Sequence, residues 1–130
     1  MSERAHRGSM RRRILVEAVV VVAAAPAVQA AWLGRYAVPP DEIALGFDDG
    51  FLLVGCLVEE QELNPAVLPL LRMIDEVFTG MTADAAPTDR WTTDALSGDA
   101  GWERARQLAR EVLALEGEGD APLPDIHIVR

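Results

Sequence analysis

Two carboxylate runs are the residues whose types and spacing could do chemistry. Glu59-Glu60-Gln61-Glu62 comes first and Asp75-Glu76 follows. Carboxylates three apart share a helix face, and two such pairs across a bundle can hold a magnesium or manganese ion for hydrolysis. Glu59 and Glu62 supply one ExxE half. The matching ExxD half is broken, because position 72, three before Asp75, is Arg. Glu59, Glu62, Asp75 and Glu76 are therefore the candidate ligands of a divalent-metal hydrolase. Solvated helix ends are the competing and better-supported reading.

The other constellations are weaker. Adjacent helical residues such as Asp48 and Asp49 point about 100° apart, so capping a helix start explains them better than a shared ligand does. Cys56 is the single cysteine, so an intrachain disulfide is excluded, and its apolar neighbours suggest a small buried hydrophobe. His6 and His127 are too few and too far apart for zinc. No glycine-rich phosphate loop and no GxSxG elbow occurs. No cofactor and no catalytic residue is expected from these patterns. Trp91 and Trp102, at the starts of two helices, read first as core anchors. Partly exposed, they would form a hot spot for a protein partner.

The elements that must position these residues are helical. The chain has 130 residues, half of them apolar, which suits one domain with a real core. Phe47, Phe51, Val54, Gly55 and Val58 follow helical spacing, with Asp48 or Asp49 as the cap. Val67, Leu70, Leu71, Ile74, Val77, Phe78 and Met81 repeat that spacing more strictly. Asn64-Pro65 forms a separate turn ahead of them, and the regular helix starts near Pro69 and ends near Gly80. Asp99 caps a helix over 100–116, with a buried stripe of Trp102, Ala105, Leu108, Ala109, Val112 and Leu115. Its wet side is Glu103, Arg104, Gln107, Arg110 and Glu111, and Gly117 ends it. A short helix is expected over 90–96, broken by Ser97-Gly98-Asp99, and the 82–90 stretch reads as a mobile loop. Residues 42–47 read as a short strand or one helical turn, and 125–130 as an edge strand that could pair with them.

Residues 14–31 are the main ambiguity. The run is long and apolar, follows three arginines and ends in small residues, as a signal peptide cleaved near Ala30 would. Glu17, Pro26 and Gln29 interrupt it, and a clean membrane span needs about 20 apolar residues, so a membrane anchor is the least favoured reading. The favoured reading is a buried helix over 15–25. A second short helix follows, opened by Pro26, with Ala27, Ala30, Ala31 and Leu33 or Gly34 facing inward and Trp32 and Tyr36 as a second row.

Charge completes the picture. The net charge is −9, divided between +4 on residues 1–13 and −13 on the rest. An acidic body repels phosphate backbones, so nucleic acid is not an expected partner of the folded part. All twelve basic residues are Arg, a usage that with the alanine content suggests a GC-rich bacterial genome.

The expected fold is a mainly α, single-domain helical bundle of five or six helices with an optional two-stranded appendage. It spans 14–130 behind a flexible basic arm over 1–13. The expected function is a small acidic, non-enzymatic interaction protein of the bacterial cytoplasm, adaptor-like or immunity/antitoxin-like, docking a basic protein. The metal-dependent hydrolase and a secreted protein are the alternatives. Alanine- and valine-rich surface would also suit a homo-oligomer.

Overall fold

The computed structural model describes residues 10–83 and 90–124. Seven α-helices run through them, and no strand occurs among the described residues. They are α1 (Met10–Ala23), α2 (Pro26–Tyr36), α3 (Asp41–Phe51), α4 (Val54–Glu59), α5 (Leu68–Ala83), α6 (Ala95–Gly98) and α7 (Ala100–Glu116), with a 3-10 turn at Pro65–Val67 before α5. The mainly α, single-domain expectation holds. The proposed edge strand, both histidines, residues 1–9 of the expected arm and residues 84–89 of the expected loop lie outside the described residues.

The first half of the 14–31 run is core. Leu15, Val16 and Val19 to Ala23 are all buried. α1 packs on α3 on one side and on α7 on the other, while α5 closes the bundle against α7 and α3. α1 begins earlier than expected, at Met10, so Met10 to Arg13 belong to a helix and not to an arm. Arg12 anchors this early start, donating to Glu116 at 3.0 Å at the end of α7 and to Glu118 at 2.9 Å just beyond it. Pro26 opens α2 as expected. Leu33 faces inward and Trp32 and Tyr36 form a second row as expected, but Gln29 and Trp32 take the inward places expected for alanines: Ala27 and Ala31 are exposed and Ala30 is half-buried. Trp32 is the reason. Its ring packs edge-on against Tyr36, and its indole N–H donates to the Pro124 carbonyl at 2.8 Å. No single helix among the described residues is long and apolar enough to cross a membrane; α1 and α2 pass that test only as a pair bent by 119°.

The 42–47 stretch is neither a strand nor a single turn, because α3 starts at Asp41. Asp41 and Glu42 sit in the first turn, beside the positive end of the helix dipole. Asp48 and Asp49 are therefore not caps; they lie near the C-terminal end of α3. The helix expected to run on through Val58 breaks at Leu52 and Leu53, where the Leu53 N–H donates back to the Gly50 carbonyl at 3.0 Å. Gly50 faces α1 so closely that a Cβ there would meet the Leu15 Cα at 3.0 Å.

Asn64 caps the 3-10 turn, accepting from the Ala66 N–H at 2.9 Å. Pro69 falls in the first turn of α5, where its missing N–H would have no helical partner. The short helix expected over 90–96 is displaced to α6, with turn structure over 90–94 before it. Asp99 caps α7, accepting from the Gly101 N–H at 2.6 Å, and Gly117 ends it at a left-handed φ of 72°. Leu115 is exposed, contrary to its assignment to the stripe; Leu113 and Arg106 are buried in its place.

Candidate functional site: an acid-lined groove

Two polar regions stand out in this bundle. The first surrounds Arg106, which is 2 % exposed. A buried guanidinium often marks a ligand site, so its donors need to be traced. Nε donates to the Ala24 carbonyl at 2.9 Å and Nη1 to Glu103 at 2.8 Å. Nη2 donates to Gln29 Oε1 at 2.9 Å and to the Leu96 carbonyl at 2.8 Å. Gln29 is fully buried and passes the chain on, its Nε2 donating to the carbonyls of Val21 at 3.0 Å and Val22 at 3.1 Å. Arg110 adds a bond to the Ala23 carbonyl at 3.0 Å. Successive carbonyls from Val21 to Ala24 thus all gain side-chain donors. They cluster at the end of α1, where carbonyls run out of helical partners, although Val21 also accepts from the Ala24 N–H at 3.3 Å. Burial lowers the Arg106 pKa, and the Glu103 contact works against that shift. The region is a closed cap for the sharp α1–α2 corner, and no buried side-chain polar atom among the described residues lacks a partner.

The second region is a groove of about 790 Å³ between α3 and α5. Helical spacing builds both walls. Asp41, Ala44, Leu45 and Asp48 lie at i, i+3, i+4 and i+7 on α3, and Asp75, Phe78, Thr79 and Thr82 repeat the same steps on α5. Phe47 and Trp91 complete the apolar lining. That lining rests on an aromatic stack in the core. Phe78 meets Phe47 at 5.9 Å, Trp102 at 5.4 Å and Trp91 at 6.1 Å, and Trp91 meets Trp102 edge-on at 5.5 Å. The stack supports Phe78 and Trp91 from behind.

The electrostatics of the groove are one-sided. Burial raises the Asp75 carboxyl above its ordinary pKa, and the charges of Asp48 and Glu76 push it further in the same direction. Among the described residues no arginine forms an ion pair with Asp41, Asp48 or Asp75. Leu45 stands at the lip of the groove, 58 % exposed.

The sequence-derived candidates are scattered by the fold. Glu59 ends α4 and is exposed, Glu62 is half-buried in the following turn, and Asp75 and Glu76 lie on α5. No three acidic, histidine or cysteine side chains among the described residues are close enough to hold a metal ion. Trp102 is fully buried and donates its indole N–H to the Arg90 carbonyl at 2.8 Å, so it has no surface to offer a partner. Trp91 is half-buried and does reach the groove. Cys56 is only half-buried, and Arg11 donates to its Sγ at 3.5 Å.

Asp41, Thr79 and Thr82 escape the sequence reading as site residues. Their signal is the shared i, i+3, i+4, i+7 face, visible only once α3 is started at Asp41. Comparison with known proteins finds no matching protein-family model, no matching curated protein and no matching solved structure.

Proposed function

We propose that this protein is a non-catalytic interaction protein whose α3–α5 groove docks a basic, partly apolar segment of another protein. The observation that carries this reading is the groove itself. Three carboxylates line an aromatic-floored cleft, and none of them is paired with an arginine among the described residues. Like charges held together raise one another's energy, and a cation entering between them removes that penalty. The acidic body would also steer a basic partner toward contact.

The buried face of α1 supports a working form that keeps this helix, since removal near Ala30 would strip Leu15, Val19 and Val22 from the core. We assign that form to the cytoplasm of a bacterium. Mass spectrometry of the natural protein checks this: a mature N-terminus beyond Ala30 contradicts it.

The docking experiment is a calorimetric titration of the full chain with a basic, leucine-containing peptide at low and high salt. Binding is expected at low salt, weakened as salt screens the carboxylates, and abolished by combining Asp48→Asn with Asp75→Asn. Binding that survives the double substitution would place the docking surface elsewhere.

A further inference from the structure

The groove's chemistry goes beyond a preference for positive charge. We propose that it selects arginine over lysine, seating one guanidinium between Asp48 and Asp75 against the Trp91 ring while a neighbouring apolar side chain of the same segment covers Leu45. This rests on the docking role proposed above and specifies its ligand.

Three features lead to it. First, the two carboxylates come from different helices and close in on one space, which both of them line; the influence of Asp48 on Asp75 records their proximity. A guanidinium is a flat fork with five donors and can bond two carboxylates at once, whereas an ammonium acts as a point charge. Second, burial is the largest cause of the Asp75 shift, so that carboxyl is partly withdrawn from water although the groove stays open. Guanidinium is weakly hydrated and loses less on entering such a place. Third, half-buried Trp91 joins the lining, and arginine adds stacking to its cation–π attraction on an indole. Leu45 supplies the apolar contact just outside, about one helical turn before Asp48 on the same wall of α3.

The test uses two capped twelve-residue peptides, identical except that one carries three arginines and the other three lysines among leucines and alanines. Each is titrated into the full chain by calorimetry, with the Trp91 indole N–H followed by NMR. The arginine peptide is expected to bind about tenfold more tightly, a difference of about 1.4 kcal/mol, and to shift the Trp91 signal. Trp91→Leu should weaken the arginine peptide more than the lysine peptide and so shrink that preference, with circular dichroism checking that the variant is folded. Should Trp91→Leu fail to fold, Asp48→Asn alone decides, because losing one prong of the fork should cost the arginine peptide more than its lysine twin. Equal binding of both peptides overturns arginine selection and leaves the docking role standing. No binding of either peptide overturns both.

Discussion

The Arg106 corner and the α3–α5 groove are built from the same kinds of side chain and are opposite in outcome. At the corner, each charged or polar group meets a complementary one, and the set closes on itself across α1, α2, α6 and α7. In the groove, carboxylates of α3 and α5 line one space, and the charges of Asp48 and Glu76 act on Asp75. A polar cluster whose bonds are complete explains a fold. A cluster whose charges repel works against the fold, and that difference is the reason for proposing a docking role in the groove and not at the buried arginine.

The largest effect should come from breaking the corner. Arg106→Met leaves Gln29 and the Ala24 and Leu96 carbonyls without their donor, and should cost about 3 kcal/mol in chemical unfolding. Adding Gln29→Leu should cost less than the sum of the two single changes, since they disrupt one network. Strict additivity would show that the corner is not a unit.

The start of α7 comes next. Asp99→Ala removes the cap and the two bonds from Arg90, at 2.8 and 2.9 Å, and should cost about 1–2 kcal/mol. The pH dependence has a definite sign. Arg90 holds the Asp99 carboxyl below its ordinary value, so its contribution is present above the unfolded pKa of about 3.9 and is lost as pH falls through the lower folded value. Acid titration of the wild type should show this loss, and Asp99→Ala should not.

How much of the molecule is legible in the sequence follows the same division. α7 and its Asp99 and Gly117 ends are readable because capping and apolar spacing are local. The α1–α2 corner is half readable: Pro26 announces it, but Gln29 looks like an interruption of an apolar run because its partner Arg106 is 77 positions away. Arg106 itself falls next to the buried stripe and carries no local mark of burial. The groove is obscured by one misplaced boundary. With α3 begun near Asp48, the aspartates at 48 and 49 look like caps. The true start at Asp41 places them near the C-terminal end, and the approach of Gly50 to Leu15 that packs α3 on α1 joins distant segments that no window of sequence contains.

The smallest effects belong to the groove, and they should have the opposite sign. The folded pKa of Asp75 is raised, so its ionisation opposes folding at neutral pH, and that opposition is relieved as pH falls below the raised value. Water still reaches the carboxyl and screens the repulsion, which keeps the effect small. Asp75→Asn should therefore stabilise the protein by about 0.5 kcal/mol at pH 7, with the gain shrinking on acidification. Thermal melts of the pair across pH check this.

The most direct test joins both halves of the comparison in one variant. Asp48→Asn with Asp75→Asn should raise the melting temperature by a few degrees, about what 0.5–1 kcal/mol gives in a domain of this size, and should abolish binding of the basic peptide. A variant that melts lower than the wild type, or that binds the peptide unchanged, would contradict the claim that these carboxylates serve a ligand at the expense of the fold.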